Sequence, residues 1–137
     1  MFAAIRIPDF PLAAVLRREK ERPPPPCAVA VRSGQASVLA SVDDESRESG
    51  VEEGMSTTRA RARCPGLSIL AQDPVAEESA MGWLIAAGFG ISPRVERTEV
   101  GLVTVDLRGV PDVEGAVQRV VATRSGEGLP VCAGLSN

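Results

Sequence analysis

A β-hairpin pattern framed by two helix starts, in the second half of the chain, limits the available folds most strongly. The run LVTVDL (102–107) alternates in polarity, and residues 99–101 connect it tightly to a preceding strand at 94–98. Asp73-Pro74 and Pro111-Asp112 supply helix starts before and after this hairpin. With strands at 2–7 and 129–133, the order outside residues 9–73 is strand, helix, strand, strand, helix, strand. This order predicts a ferredoxin-like βαββαβ arrangement, an α+β fold whose antiparallel sheet carries two helices.

Residues 9–73 form a predicted insertion after the first strand, large enough for a small α/β lobe. Asp9 is predicted to cap a helix from Phe10 to about Lys20, and prolines 23–26 force an extended connector. The runs CAVAV (27–31) and VLASV (38–42) predict a hairpin, and 67–71 a further strand. An acidic helix begins at Asp43-Asp44, and Ser56 caps a second helix at 57–63. The predicted domains are 1–8, the insertion 9–73, and 74–137.

Composition excludes several classes of function. The chain has no histidine, which removes histidine-based nucleophilic catalysis and His-ligated metals. Its three cysteines are far apart, so a disulfide framework is not expected, and a net charge of −3 provides no general attraction to nucleic acid. The N-terminus lacks a signal-peptide pattern and the apolar run at 83–91 is too short to span a membrane. These features predict a soluble, cytoplasmic protein without membrane association.

The predicted insertion contains a strand followed by DDESRESGV (43–51), then Gly54-Met55 to Ala60, and then CPGL (64–67). These segments resemble the Ser-Tyr-Glu-Ala-Arg-x-x-Gly-Val, Gly-Met…Ala and Cys-Pro-x-Leu segments that follow a strand in Y-family (translesion) DNA polymerases. The predicted insertion therefore resembles the fingers of that family, and the predicted ferredoxin-like part resembles their palm. Downstream, SPRVE (92–96), VDL (105–107) and AGLSN (133–137) resemble the entry and exit of the catalytic hairpin and the lead into the thumb. The resemblance implies that these residues include palm and fingers but not the thumb or little finger.

The resemblance also implies where catalytic carboxylates belong, and this chain lacks them there. Polymerases of this family hold two Mg²⁺ ions between an Asp on the first strand and an Asp-Glu pair on the hairpin. The alignment puts Arg6, Gly101 and Leu102 at these three positions. No catalytic residue, metal site or cofactor is therefore expected. Mg²⁺ would be needed only if displaced carboxylates, such as Asp106 or Glu99, supported an active polymerase.

A second resemblance concerns the first strand and the residues after it. ImuB-type relatives, which keep the fold with a degenerate active site, open with Leu-x-Leu-Pro-x-x-Pro-Leu, similar to IRIPDFPL (5–12) here. This similarity implies a non-catalytic scaffold in DNA repair and damage-induced mutagenesis, located at the nucleoid. The implied partners of a full-length protein are the sliding clamp, an ImuA-type protein and an error-prone polymerase. DNA binding by these residues alone is expected to be weak.

Arginines of the insertion are the remaining candidate contacts. Arg47, with Ser41 on the preceding strand, falls where the family contacts the incoming triphosphate, which makes both candidate relics of a nucleotide site. The alternative for Arg47 is an ion pair within its acidic helix, with Asp43 or Asp44. Arg59 and Arg63 share one helix face and are candidate DNA-phosphate contacts, while Arg61 points elsewhere. The alternative is a solvated face with cations near a helix C-terminus.

Three functions remain open at this stage. The first is a catalytically inactive polymerase-like module that acts as an adaptor in translesion synthesis. The second is an active DNA polymerase, a nucleotidyltransferase that uses displaced carboxylates such as Asp106. The third is an α+β interaction domain unrelated to DNA.

Overall fold

The computed structural model describes residues 1–125 and 129–136, so the predicted loop at 126–128 and Asn137 lie outside the described residues. In chain order the elements are β1 (Phe2–Arg6), α1 (Phe10–Arg18), β2 (Cys27–Ser33), β3 (Ala36–Val42), α2 (Asp44–Glu48), α3 (Thr57–Arg63), β4 (Ser68–Ala71), α4 (Pro74–Phe89), β5 (Val95–Glu99), β6 (Leu102–Asp106), α5 (Val113–Ser125) and β7 (Cys132–Ser136). Contacts divide them into two compact units. Unit 1 comprises Met1–Pro8 and the chain from Glu77 onward, and unit 2 comprises Asp9–Ala76.

Unit 1 is built on an antiparallel sheet. Among the described residues its four strands lie in the order β5-β6-β1-β7, and each neighbouring pair is antiparallel. Taken with α4 and α5, this is the strand order of a ferredoxin-like βαββαβ fold. The predicted α+β fold class is confirmed.

Alternation along the central strands of unit 1 separates a covered face from an open one. Ile5 of β1 and Val103 and Val105 of β6 are fully buried, and they share one face of the sheet. Helix α4 approaches this face closely at Gly88, where a Cβ atom would lie 3.0 Å from Val95 Cγ1. The residues that alternate with these buried ones along β1 and β6 therefore point to the opposite face of the sheet, which is the open face.

Unit 2 has a smaller sheet with an apolar cluster on each face. Its described strands lie in the order β3-β2-β4, with β2 antiparallel to β3 and parallel to β4. Successive residues of β2 point to opposite faces. Cys27 and Val29 pack with Leu12 and Val15 of α1, whereas Ala28 packs in a second cluster. This second cluster also contains Leu39, Val42, Val51, Ala60, Cys64 and Leu67.

The predicted cap of α1 is wrong in its chemistry. Asp9 occupies the N-cap position, but its φ of 49° is left-handed and its side chain makes no capping hydrogen bond. A capping carboxylate binds the backbone N–H of the second or third helical residue, and the second residue here is Pro11, which has no N–H. The Asp9 carboxylate instead accepts a hydrogen bond from Arg47.

Helix α4 buries Ala76, Ala80 and Met81, whereas Val75 in its first turn is 67% exposed. One further detail differs from the sequence predictions. The last strand occupies Cys132–Ser136 rather than 129–133. Its position follows from pairing with β1, in which Cys132 lies opposite Arg6 and Ser136 opposite Phe2.

Helix starts elsewhere agree with the sequence signals. The side chain of Ser56 accepts a hydrogen bond from Arg59 N, and Asp73 Oδ1 accepts one from Ala76 N at 3.1 Å. Within the described parts of the chain, no helix has the length and apolar character needed to cross a membrane.

Candidate functional site

The open face of the unit 1 sheet holds the positions that the sequence analysis singled out. Arg6 is the last residue of β1, and it lies directly opposite Leu102 of β6 on one side and Cys132 of β7 on the other. Since paired residues of an antiparallel ladder point to the same face, Arg6 and Leu102 are cross-strand neighbours. The structure therefore pairs two of the three residues aligned with metal-binding carboxylates across neighbouring strands, and the third, Gly101, directly precedes Leu102.

Gly101, the third of these residues, serves the turn between β5 and β6. Its φ of 79° lies in the left-handed region, which favours glycine. Its carbonyl accepts a hydrogen bond from Ile7 N at 3.0 Å, and its N–H donates to Met81 Sδ at 3.1 Å. Most other residues here would be strained by about 1–2 kcal/mol. The local backbone therefore accounts for glycine without any role in chemistry.

Asp106 is the carboxylate of β6, and arginines occupy both its oxygens. Arg108 Nε lies 2.9 Å from Oδ2 and 3.2 Å from Oδ1, and Arg108 N donates to Oδ1 at 3.0 Å. Arg94 Nε lies 3.6 Å from Oδ2. The hydrogen bonds from the Arg108 side chain and backbone lower the pKa of Asp106, and Arg94 adds a smaller effect in the same direction. Asp106 is therefore ionised at neutral pH, and its carboxylate already forms hydrogen bonds and ion pairs with these two arginines.

Distance also separates Asp106 from Arg6. Asp106 lies opposite Phe2, at the other end of β1 from Arg6. At roughly 3.3 Å per residue, the four intervening steps place their backbones about 13 Å apart. Glu99, the other displaced carboxylate considered, is the last residue of β5 and lies opposite Leu102.

A two-metal site needs several carboxylate oxygens converging on one point. Among residues 1–125 and 129–136, no group of three or more Asp, Glu, Cys or His side chains is placed to hold a metal ion. The residues present at the expected positions are a cation, an apolar side chain and a glycine. They do not fit Mg²⁺.

Arg47, the candidate triphosphate contact in unit 2, is held by carboxylates. Its Nη1 lies 2.8 Å from Asp44 Oδ1, its Nη2 hydrogen-bonds Asp9, and Glu53 lies 3.9 Å away. The hydrogen bond with Asp9 is the largest cause of a raised pKa for Arg47. The predicted ion pair with Asp44 is confirmed, and Asp9 is a partner that the sequence analysis did not identify.

Ser41 and Arg47 are placed differently with respect to the surface. Ser41 is 1% exposed on β3, and its hydroxyl has no hydrogen-bond partner among the described residues. The Arg47 side chain is 41% exposed. A nucleotide at the surface of unit 2 would meet the Arg47 guanidinium but not the Ser41 hydroxyl.

The arginines of α3 are exposed, and none of Arg59, Arg61 and Arg63 forms an ion pair with a residue that the structure describes. Arg63 lies over Gly50, since a Cβ atom at Gly50 would be only 2.9 Å from Arg63 Nη1. Both interpretations of this helix, a DNA-phosphate contact and a solvated cationic face, are compatible with this arrangement.

Comparison with known proteins decides the family. The model of the IMS family, described as the impB/mucB/samB family, matches residues 6–136. The chain belongs to the IMS family. A search of curated proteins finds no match.

Solved structures show the same fold for this IMS chain. DinB from Sulfolobus solfataricus matches with a TM-score of 0.82 at 17% identity, over 99% of this chain and 42% of that one. An insertion ternary complex of Dbh DNA polymerase matches with a TM-score of 0.84 at 17% identity, with the same coverage. A Y-family DNA polymerase chimera, Dbh-Dpo4(243-245)-Dbh, gives a TM-score of 0.83 at 14% identity, over 98% and 42%. The IMS chain is thus Y-family polymerase-like, and it spans less than half the length of these structures.

Two features of the IMS chain escaped the sequence analysis. Cys132 and Gly134 lie beside Arg6 and Ala4 because of the register between β1 and β7, which no local pattern encodes. Asp43, predicted only as a helix start, joins α2 to β2: its Oδ2 accepts from Cys27 N at 2.8 Å, and its Oδ1 from Ser46 N at 2.9 Å. The only sequence signal for the second feature was a candidate N-cap residue, Asp43, three positions before a serine.

Any dATP binding that Arg47 retains is expected to become up to about fivefold stronger in Asp9→Asn, because the substitution removes the charge of an ion pair worth up to roughly 1 kcal/mol. Isothermal titration calorimetry with the full chain measures the change. Glu48→Gln is the matched control, since Glu48 is an exposed acid of α2 that makes no ion pair with Arg47. Equal gains in the two variants would show a general charge effect and contradict a role for the Asp9 contact.

Proposed function

We propose that this IMS-family chain is a catalytically inactive polymerase-like module that acts as a scaffold in DNA repair and translesion synthesis. The observation that carries this proposal is the pairing of Arg6 with Leu102 on the open face of unit 1. Nucleotidyl transfer in a polymerase palm depends on Mg²⁺ held by hard oxygen ligands. A fixed guanidinium at this point repels divalent cations, and a leucine offers no ligand.

The surrounding groups support the same conclusion. The carboxylate of Asp106 is occupied by Arg108 and Arg94, so recruiting it for a metal would break charge-assisted hydrogen bonds. In unit 2, carboxylates already neutralise Arg47. Loss of catalysis and weakened nucleotide handling are therefore proposed together.

The scaffold role rests on the resemblance of IRIPDFPL (5–12) to ImuB-type relatives. Under this proposal a longer protein containing these residues works at the nucleoid, in the cytoplasm, with the sliding clamp, an ImuA-type protein and an error-prone polymerase. DNA contact by the chain itself is weak, through exposed arginines such as Arg59 and Arg63. Strong salt dependence is the expected sign of such contacts.

A metal-binding experiment tests the loss of catalysis without depending on residues outside the chain. Mn²⁺ is titrated into ¹⁵N-labelled protein, and paramagnetic broadening of amide signals locates any bound ion. The native chain is expected to show no broadening centred on Arg6 and Leu102. The variant Arg6→Asp/Leu102→Glu is expected to gain Mn²⁺ affinity there by on the order of tenfold or more, since each surface charge contact is worth up to about 1 kcal/mol.

Arg32→Asp/Ser37→Glu is the matched control, because these residues form a cross-strand pair in the β2–β3 hairpin and the charge change is identical. It is expected to leave the open face of unit 1 unaffected. Mn²⁺ binding by the native chain at Arg6 and Leu102 would contradict the proposal.

An active polymerase with displaced carboxylates is the second candidate, because Asp106 is ionised and lies on the open face. Single-nucleotide extension of a primed template with Mg²⁺ or Mn²⁺ tests it. Incorporation by the native chain that disappears in Asp106→Ala would overturn the scaffold proposal. The third candidate, a domain unrelated to DNA, is disfavoured by membership of the IMS family.

A further inference from the structure

A shallow depression surrounds Arg6 on the open face of unit 1. Its volume is about 300 Å³. The lining residues are Ala4, Arg6, Leu102, Cys132, Ala133 and Gly134. None of these lining residues is acidic, and most are small. The carboxylate of Glu99 lies one strand further away, opposite Leu102, and forms no ion pair with Arg6 among the described contacts. Space of this size suits one small ligand group rather than a protein surface.

Arg6 differs in this respect from four other arginines of unit 1 whose side chains the structure describes. Arg94, Arg97, Arg108 and Arg119 each lie within 4.0 Å of a carboxylate, at distances from 2.8 to 3.7 Å. Arg6 has no such partner among the residues that the structure describes. An arginine that remains unneutralised in a fold where its neighbours are paired is available for an external anion.

The backbone at Arg6 is also restrained by the sheet. β1 is a central strand, and Arg6 is paired with Leu102 on one side and Cys132 on the other. The ladder on both sides therefore restrains the backbone of Arg6. Such restraint reduces the entropy lost when the guanidinium binds a ligand.

We propose that the Arg6 depression binds a phosphate group of a nucleic acid or nucleotide without a metal ion. This inference rests on the proposed loss of metal chemistry, because the guanidinium then stands where metal ions would otherwise neutralise phosphate. A guanidinium binds phosphate through two parallel N–H···O bonds and stays charged at every physiological pH. The preferred source is a DNA phosphodiester, since a strand crossing the open face presents one phosphate at a time to a depression of this size.

Gly134 provides a way to block the depression without removing Arg6. It lies opposite Ala4 on β7, two residues from Cys132, and a Cβ atom there would meet nothing within 4 Å. A glutamate at this position would point to the same face as Arg6. The reason is that Gly134 pairs with Ala4, and Ala4 lies two residues from Arg6 on β1. Gly134→Glu therefore places an internal carboxylate where the phosphate is expected.

The test is a titration of the ¹⁵N-labelled full chain in EDTA, with the dinucleotide d(TpT) as phosphodiester probe and dTTP as triphosphate probe. Shifts are expected at Arg6 Nε–Hε and at the amides of Ala4, Cys132 and Gly134. In Arg6→Gln and in Gly134→Glu the binding is expected to weaken about tenfold or more, the usual effect of losing a charged hydrogen-bond donor. Arg6→Lys is expected to retain part of it, because lysine cannot bind in a bidentate manner.

Arg32→Gln is the control, since Arg32 is an exposed arginine of unit 2 with no ion pair to a described residue. The inference is overturned if neither probe shifts these signals, or if Arg6→Gln binds as the native chain does. Stronger shifts with dTTP than with d(TpT) would assign the depression to nucleotides, and the reverse to DNA. Mn²⁺ binding at Arg6 in the separate metal titration would contradict the inactive-polymerase proposal. Absence of phosphate binding in EDTA would contradict only the present inference.

Discussion

Asp43→Ala is expected to lower the free energy of unfolding of unit 2 by about 2–4 kcal/mol. One part is the loss of an N-cap, typically about 1 kcal/mol, because the Asp43 side chain accepts a hydrogen bond from Ser46 N. Another part is the N–H of buried Cys27, which loses its carboxylate acceptor, at about 1–3 kcal/mol for an unsatisfied buried donor. The hydroxyl of Ser46, 2.7 Å from Asp43 Oδ1, also loses a partner.

Thiol labelling measures this effect directly. Cys27 and Cys64 are buried in unit 2, whereas Cys132 is exposed in unit 1 and is expected to react first. Burial is the largest cause of the raised pKa of Cys27, and Asp43 and Glu45 raise it further, so the native thiol reacts slowly at neutral pH. If labelling follows opening of unit 2, a loss of 2–4 kcal/mol increases the rate roughly 30- to 700-fold.

Asp44→Ala is the matched control for Asp43→Ala. Asp44 is the next residue, and its side chain is 94% exposed and pairs only with Arg47 among its described ion-pair contacts. Loss of such a surface pair costs at most about 1 kcal/mol. An increase at Cys27 alone, without one at Cys64, would indicate a local change in the Cys27 thiol and contradict the expected destabilisation of the whole unit.

Ile5→Ala is expected to lower the free energy of unfolding of unit 1 by about 3–4 kcal/mol, within the usual range for removing a large buried aliphatic side chain. Ile5 is fully buried at the centre of the sheet, between Val103 of β6 and Ala133 of β7. Strands on both sides restrict collapse around the cavity. Urea denaturation followed by the fluorescence of Trp83, the single tryptophan and a residue of α4, reports on unit 1.

Leu135→Ala removes the same number of carbon atoms from the neighbouring strand. Leu135 is 45% exposed on β7, opposite Ala3, so it belongs to the same face of the sheet. Its replacement is expected to cost about 1 kcal/mol or less, because much of the side chain already contacts water. Equal losses in the two variants would contradict the placement of Ile5 at the centre of the core.

Local chemistry explains why much of the fold was readable from the sequence. The β5–β6 hairpin, the Ser56 cap of α3 and the Asp73-Pro74 start of α4 each depend on residues within a few positions of one another. Such signals act before any tertiary contact forms. The predicted capping hydrogen bond of Asp9 is absent for a reason that is also present in the sequence. Pro11 removes one of the two N–H groups that a capping side chain can bind.

The sequence by itself determined the βαββαβ order, the insertion after the first strand, and the absence of carboxylates from residues 6, 101 and 102. Only the tertiary structure decided what surrounds those residues. Arg6 meets Cys132 through strand pairing across most of the chain, and Arg47 meets Asp9 across 38 positions. No local pattern encodes such contacts, because their register and partners depend on how whole elements pack. The depression at Arg6 and the occupied state of Arg47 are therefore properties of the packed chain.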